Sequence, residues 1–247
     1  MLNSELWQAP LAGGSAFYDH QISQSVRFLG NSYLTKSNFG AATSTTKKCA
    51  SVWVKRSLIN DSTAIQQVVN GYRQDYTNNA IMFEADGISY YGDGGGKNGH
   101  AKFKSRDVSG WYHIVQVIDT TQGTAADRIK LYINGVHIAL NTTNFTFDGD
   151  GLPGQNSDVG YGEQSGQTDI GRYVPYNSNL FTGYIAEVIV IDGVGSIDDF
   201  GEFKNGVWIP KDPSGLTFGN NGFHLDFANA SAFGNDVSGN NNDFTVG

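Results

Sequence analysis

The first residues in this sequence that could do chemistry are two acidic side chains in the stretch FEADGISY. Glu84 and Asp86 stand two positions apart, and glycoside hydrolysis uses two carboxyl groups that flank the scissile bond. Asp86 is followed by Gly87, however, and Asp-Gly is a dipeptide that favours a tight hairpin turn. This pair of carboxylates therefore indicates a turn more than a catalytic centre.

A second acidic stretch, residues 146–169, suggests a calcium site. It places oxygen-bearing side chains among glycines, the kind of loop that Ca²⁺ prefers. The spacing is not that of an EF-hand, because Leu152 and Pro153 occupy positions where a ligand and a glycine would stand. A solvated loop is the alternative to calcium. The expected metal ligands are Asp148, Asp150, Asn156 and Asp158, and Glu163 and Asp169 lie in the same stretch.

Two glycine- and asparagine-rich segments, 91–100 and 171–179, carry the residue types that bind sugars. Aromatic rings stack on sugar rings, and planar polar groups bond their hydroxyls. The alternative is ordinary turn chemistry. The expected carbohydrate-binding residues are Tyr91, Asp93, Asn98, His100, Arg172, Tyr173 and Tyr176.

The five histidines indicate no hydrolase. None of them lies in a nucleophile elbow or in an HExxH motif. His113 and His137 fall inside apolar, alternating segments and are interpreted as residues on strand faces. We expect the protein not to be an enzyme.

The elements that must position these residues are β-strands. Asn134-Gly135 interrupts the apolar run RIKLYINGVHIAL and predicts a type I′ hairpin, since both turn residues need positive φ. The opposed pairs would be Ile133/Val136, Leu131/Ile138 and Ile129/Leu140. A second hairpin is expected at Asp86-Gly87, with the pairs Ala85/Ile88 and Phe83/Tyr90.

The remaining chain repeats the period-two pattern with almost no helix. ASVWVKRS and WYHIVQVID alternate, and FTGYIAEVIVID is nearly continuous apolar, which fits a central strand that is covered on both faces. Only residues 196–203 offer a short helix, which Ser196 would cap. The pattern predicts an all-β fold made of antiparallel sheets that pack as a sandwich.

Bulk composition excludes several classes of protein. The chain has 247 residues and a net charge of −8, which argues against nucleic acid as a partner. No run approaches the length of a membrane span, and the first residues do not resemble a signal peptide. The single cysteine, Cys49, is expected to be buried.

Residues 1–24 lack periodicity and are interpreted as an N-terminal arm outside a sandwich domain of residues 25–247. The arm contains Leu6 and Trp7, which have no core of their own. An exposed apolar pair of this kind indicates docking onto another chain.

The order of these segments resembles a known superfamily. ASVWVKRS, WYHIVQVIDTT, RIKLYINGV and IGRY…FTGYIAEVIVIDG follow one another as in laminin-G-like domains of the concanavalin A-like lectins and glucanases. The stretches IDDFGEFKNGVWIPK and NGFHLDFANASAFGNDVSGNNNDFTV resemble domains in bacteriophage structural proteins, tail fibres especially. The resemblance covers about residues 26–246.

The resemblance implies a two-sheet jelly-roll sandwich that is displayed on a virion surface and made in the host cytoplasm. Glucanases of this superfamily carry a strand of the form Glu-x-Asp-x-x-Glu, and here no glutamate stands three residues after Asp86. We therefore expect a lectin-like attachment protein of a tail fibre or surface appendage that binds host-surface glycan, other virion proteins and copies of itself. The alternatives are a capsid decoration protein held by its arm and, third, a polysaccharide-degrading enzyme. The segment DVSGNNNDFTV is expected either to add a last strand beside SVRFLG or to be the stub of a longer protein.

Overall fold

The structure is a computed structural model that describes residues 17–59, 65–73, 78–93, 97–149, 151–174 and 178–247. It is all-β, with 44% of the described residues in strands and 4% in helices. No helix in the described ranges is long and apolar enough to cross a membrane. The strands are β1 (Val26–Leu29), β2 (Leu34–Ser37), β3 (Lys47–Arg56), β4 (Ile65–Arg73), β5 (Asn78–Glu84), β6 (Gly87–Asp93), β7 (Lys97–Ala101), β8 (Tyr112–Asp119), β9 (Ile129–Ile133), β10 (Val136–Ile138), β11 (Phe145–Phe147), β12 (Gly166–Ile170), β13 (Thr182–Ile191), β14 (Gly201–Lys204), β15 (Val207–Pro210), β16 (Phe223–Leu225) and β17 (Thr245–Val246). In the part of the chain that the structure describes, three short 3-10 helices cover Ala125–Asp127, Ile197–Asp199 and Pro213–Gly215.

Two large antiparallel sheets form the sandwich, as the sequence predicts. The first sheet has the order β1-β13-β3-β8-β9-β10, and β16 also pairs with β13. The second sheet has the order β11-β7-β6-β5-β4-β12-β2-β17. Strands β14 and β15 form a separate hairpin. The architecture is the two-sheet jelly roll that the sequence resemblance implied.

The main core lies between the two sheets. Along β3, Val52 and Val54 are fully buried in this core, and Trp53 between them points to the other face. This alternation is the period-two pattern of a strand with one face inward. Aromatic rings fill much of the space, with Phe83 stacked near Phe181 at a centroid distance of 6.3 Å.

The first sheet is covered on its outer face as well. A second apolar cluster consists of Cys49, Val115, Ile189, Ile191, Phe200 and Phe218. The segment after β13 supplies Phe200 and Phe218, which explains why β13 is apolar on both faces. The capped helical turn expected after Ser196 is present at Ile197–Asp199, where Ser196 and Asp199 form a capping box. Burial raises the pKa of the Cys49 thiol, so this thiol is unreactive.

A buried ion pair joins the ends of the two central strands of the first sheet. Lys48 Nζ lies 2.5 Å from Asp192 Oδ1, and both side chains are inaccessible to solvent. Asp192 also accepts hydrogen bonds from the backbone N–H groups of Thr43, Ser44 and Asn221. Burial alone would raise the pKa of Asp192, but these bonds and the bond from Lys48 outweigh burial and lower it.

The hairpin at Asn134-Gly135 has the predicted register. Its turn residues have φ of 48° and 77°, and Ile133 pairs with Val136 and Leu131 with Ile138. Val136 is nevertheless 55% exposed, because β10 is the last strand of the first sheet and lies at its edge.

The register predicted for the second hairpin is wrong, because the observed turn lies one residue earlier than Asp86-Gly87. Phe83 pairs with Ile88, and Glu84 with Gly87, so the turn residues are Ala85 and Asp86. Both registers keep the same side chains in the core. In the observed one, Asp86 accepts from Lys104 and Arg106. Gly87 is needed for close packing instead, because a Cβ there would lie 2.8 Å from the Cβ of Ala101.

The expected partner of the C-terminal strand is also wrong. Strand β17 pairs with β2, with Thr245 opposite Thr35, and not with β1. Phe244 packs edge-on against Phe223 in the core at 4.7 Å. The residues that follow Phe244 therefore reach the free edge of β2, whereas β1 belongs to the other sheet.

Part of the expected N-terminal arm falls within the described residues. Asp19 forms an ion pair with Lys204 at 2.9 Å, and Tyr18 and residues 20–25 border a cleft of about 460 Å³ beside Trp53 and Trp111. Leu6 and Trp7 lie outside the described residues, so docking through them stays a prediction.

The two Asn-Gly hairpins allow a matched test of packing at the turn. Gly135 and Gly206 have nearly the same φ, 77° and 80°, but only at Gly135 would a Cβ meet the Trp208 ring, at 2.2 Å. Gly135→Ala and Gly206→Ala should both lose about 1 kcal/mol of unfolding free energy through strain. Gly135→Ala should lose a further 1–3 kcal/mol or so through overpacking. Urea denaturation measures both, and equal losses would contradict the Trp208 contact.

Candidate functional site

The register of the second sheet brings several polar side chains to its outer face. Tyr91 is opposite Ala80, Ala80 opposite Asn70, and Asn70 opposite Asp169. Directly opposed residues in antiparallel strands point to the same face. Tyr90, the neighbour of Tyr91, packs against the core, so this row faces outward.

Two tyrosines meet on this outer face. The rings of Tyr91 and Tyr173 make an edge-to-face contact with a centroid distance of 6.1 Å and an interplanar angle of 72°. Tyr173 lies after β12 in a segment that folds back over the sheet, where the Val174 N–H donates to Asn70 Oδ1. Burial raises the pKa of Tyr91 to about 12, and the nearby Tyr173, Glu84 and Asp148 add to that rise. Tyr91 is therefore a neutral ring at all physiological pH values.

A line of hydrogen-bonded polar groups lies close to Tyr91. His100 Nδ1 is 2.6 Å from Glu84 Oε2, and His100 Nε2 is 3.0 Å from Asp148 Oδ2. Asn98, directly opposite Tyr91, donates to the same Asp148 oxygen at 3.3 Å. The line ties the end of β5, strand β7 and the loop after β11 together, and its members are only partly buried. It presents fixed hydrogen-bonding groups beside an aromatic ring.

His100 favours its protonated form in this setting. Partial burial lowers its pKa, but hydrogen bonds and attraction to Glu84 and Asp148 outweigh burial, and the net shift is upward. A protonated imidazole donates from both nitrogens, which satisfies both carboxylates at once.

Arg172 is oriented differently from its neighbour Tyr173. Its Nε lies 2.5 Å from Asp169 Oδ2, and its guanidinium stacks over the Tyr33 ring at 3.4 Å. Asp169 is fully buried, so this ion pair anchors the segment after β12 to the sheet.

The structure therefore brings together four residues of the expected carbohydrate-binding set, namely Tyr91, Asn98, His100 and Tyr173. Arg172 lies nearby but is paired with Asp169. Tyr176 and the side chain of Asp93 lie outside the described residues. The sequence interpretation did not assign Glu84 to this set, because its partner His100 is sixteen residues away along the chain and meets it only through the sheet.

The expected calcium ligands do not converge in the described residues. Asp148 bonds to His100 and Asn98, while Asp158 forms an ion pair with Arg73. The described ranges contain no group of three or more His, Cys, Asp or Glu side chains arranged to hold a metal ion. Asn156 occupies a turn, with its N–H bonded to the Thr120 carbonyl, and Asp150 lies outside those ranges. The described members of the expected set therefore do not surround a shared calcium ion.

The geometry also bears on hydrolysis. Glu84 and Asp148 both lie on this face, and the His100 ring bonds to both of them. The one close Ser–His contact among the described residues, Ser51 Oγ to His113 Nε2 at 2.8 Å, is buried. Desolvation lowers the pKa of His113 to about 3, and its ring packs between Trp53 and Trp208.

Comparisons with known proteins agree with the fold. No protein-family model and no curated protein matches the sequence. Among solved structures, a putative carbohydrate binding protein from Bacteroides ovatus matches with a TM-score of 0.53 and 18% identity, over 90% of this chain and 59% of that one. The chain thus spans about three fifths of the length of that relative. Domain 4 of an extracellular arabinanase from Geobacillus stearothermophilus, in complex with arabinotriose, matches with a TM-score of 0.48 and 18% identity, over 75% and 79%. Mouse laminin α1 chain domains LG4-5 match with a TM-score of 0.43 and 12% identity, over 77% and 48%. The likeness to the Bacteroides ovatus protein supports the two-sheet jelly-roll fold.

The contacts of His100 predict a pH-dependent stability. Because the folded-state pKa is raised above 6.5, the stabilisation by His100 is complete below about pH 6.5 and is lost as the pH rises through the folded-state pKa. His100→Gln is neutral throughout, so the difference in unfolding free energy between wild type and this variant should shrink from about pH 5 to about pH 8. A difference that does not change with pH would contradict the assigned contacts.

A matched variant tests the cause of the raised pKa. Glu84→Gln removes one carboxylate from His100 and should bring the pKa of the imidazole down. NMR titration of the His100 ring protons measures this shift directly. An unchanged titration curve would mean that Glu84 does not contact His100 in solution.

Calcium titration tests the acidic loop. A ligand that binds only the folded state raises the melting temperature by mass action. Since His100 and Arg73 hold the described carboxylates, we expect Ca²⁺ and EDTA to leave the melting temperature unchanged. A rise with Ca²⁺ that EDTA reverses would instead assign a calcium site to residues 148–158.

Proposed function

We propose that this protein is a non-enzymatic carbohydrate-binding module that recognises glycan on the outer face of its second sheet. The observation that carries the proposal is the edge-to-face pair of Tyr91 and Tyr173 beside the line formed by Asn98, His100 and the two carboxylates. Aromatic faces and fixed polar groups are the two elements that a sugar-binding surface requires.

The chemistry of the site favours neutral glycans. Its carboxylates, Glu84 and Asp148, both accept hydrogen bonds, and they repel a ligand that carries its own carboxylate or sulfate. Sugar hydroxyls can donate to these oxygens and can accept from the Asn98 amide. Arg172, the nearest cation on the segment that carries Tyr173, is already paired with Asp169. Neutral hexoses and pentoses therefore fit this site better than sialic or uronic acids.

The absence of catalysis is part of the proposal. The pair Glu84 and Asp148 is occupied by His100, and no catalytic strand with three spaced acids is present in the sequence. A protein that holds both carboxylates in this way binds a glycan without cleaving it.

We further propose that the protein works on a virion, as part of a tail fibre or surface appendage. The support is the order of the C-terminal segments, which resembles that of bacteriophage structural proteins. The alternative is a decoration protein on the capsid exterior that binds no sugar and is attached through residues 1–24. Localisation by immunoelectron microscopy of intact particles separates fibre from capsid.

A glycan array with matched variants tests the binding function. Wild type should bind a subset of neutral glycans. Tyr91→Ala should weaken that binding about tenfold, which corresponds to about 1.4 kcal/mol and to the loss of an aromatic contact. The control is Tyr184→Ala, since Tyr184 is a partly exposed tyrosine on the first sheet that contacts Arg27.

The control should bind like wild type. Equal weakening in both variants would indicate a general loss of stability, which thermal melting detects. No binding of wild type to any glycan would contradict the function and favour the decoration protein.

A further inference from the structure

A polar pocket that is separate from the site at Tyr91 lies on the outer face of the second sheet. Its volume is about 360 Å³, within the range of small-ligand sites. Strands β4, β12 and β2 contribute Tyr72, Gln167 and Ser37, and the segment after β12 contributes Arg172 and Val174. None of these residues except Arg172 was expected from the sequence to bind a ligand.

The sheet register shows that this pocket shares a face with Tyr91. Tyr72 is opposite Gln167, and Gln167 is opposite Ser37, so the three side chains form one row. Tyr72 follows Asn70 by two residues in β4, and residues i and i+2 of a strand point to the same face. Asn70 is in the row of Tyr91, as described above. The two rows are therefore neighbours on one face of the sheet, and the segment after β12 covers the buried Asn70 between them.

The separation of the two aromatic rings suits a chain of sugars. Across the sheet, Tyr91 lies two strands from Asn70, which places their Cα atoms roughly 10 Å apart. Along β4, Tyr72 lies two residues beyond Asn70, a further Cα distance of roughly 7 Å. The Cα atoms of Tyr91 and Tyr72 are therefore about 12 Å apart. This separation exceeds the width of one sugar ring and suits a short oligosaccharide that contacts both tyrosines.

One segment contributes to both places. Tyr173 contacts Tyr91, while Arg172 and Val174 on either side of it line the pocket. The segment is fixed to the sheet by the Arg172–Asp169 ion pair and by the bond from Val174 to Asn70. Both places are thus held in a constant relative position, which a ligand that spans them requires.

The lining of the pocket has the chemistry of a sugar subsite. Tyr72 offers an aromatic ring, and the amide groups of Gln167 and of the exposed Gln164 and Asn38 offer planar donors and acceptors. The Arg172 charge is paired with the buried Asp169, so the pocket is suited to neutral hydroxyls more than to an anion.

We propose that the pocket at Tyr72 is a second subsite of one extended surface, and that the ligand is an oligosaccharide chain that reaches from Tyr91 to Tyr72. The inference rests on the proposed function and adds to it the class of ligand, an internal stretch of a neutral glycan in place of a single terminal sugar.

Calorimetric titration with oligosaccharides of graded length tests this inference. The probes are gluco-, manno-, galacto- and arabino-oligosaccharides, each from monosaccharide to hexasaccharide. Wild-type affinity should rise with chain length and then level off once both subsites are filled. Tyr72→Ala should lower the affinity for the longer oligosaccharides about three- to tenfold and leave the affinity for the shortest binding sugar unchanged. Tyr91→Ala should lower the affinity for sugars of every length.

Tyr72→Phe serves as the folding control, because it keeps the ring and should keep the length dependence. If wild type binds with the same affinity at every length, or if Tyr72→Ala weakens all lengths equally, the second subsite is wrong while glycan binding stands. If wild type binds none of the probes, the proposed function and the subsite both fail.

Discussion

The antiparallel register of the second sheet is the constraint on which the site depends. Residues Tyr91, Ala80, Asn70 and Asp169 lie in one row across four strands, and a slip of one residue would turn this row into the core. The core opposes such a slip, because Ile81, Phe83 and Tyr90 alternate with the outward residues and are fully buried. The same apolar burial that stabilises the fold therefore aims the polar side chains outward.

The two sheets carry different tasks. The first is covered on both faces, by the main core and by the segment after β13, and its central strands are joined at their ends by the buried pair of Lys48 and Asp192. Removing one partner of such a pair typically costs about 3–5 kcal/mol, since it leaves a charge buried alone. The second sheet carries polar side chains on its outer face, where Asn70 and Asp169 are buried beneath the segment after β12, while Tyr91, Asn98 and His100 are partly accessible. This is the face on which we propose that glycan binds.

Sequence patterns predicted the elements that depend on residues close together in the chain and on the period-two alternation of strands. The Asn134-Gly135 hairpin, the doubly covered strand β13 and the capped turn at Ser196 follow from the spacing of apolar residues and from turn chemistry. The errors concern choices between partners. The turn could form at Asp86-Gly87 or one residue earlier. The earlier position is observed, and there Asp86 contacts Lys104 and Arg106. The last strand could pair with the free edge of β1 or of β2, and the packing of Phe244 against Phe223 in the core directs it to β2.

For the site, Tyr91, Asn98 and His100 were predicted from residue type. The hydrogen bond between His100 and Glu84 and the row that contains Tyr72 could not be predicted, because they depend on the register of the folded sheet.

The decisive measurement is a crystal structure of the protein with the glycan of the array that binds most tightly. We expect a sugar ring against Tyr91 and Tyr173 on the outer face of the second sheet, with hydroxyls bonded to Asn98 or Asp148. A glycan seated instead in the cleft beside Trp53 and Trp111, on the opposite sheet, or at the loops along the edge of the sandwich would contradict this expectation.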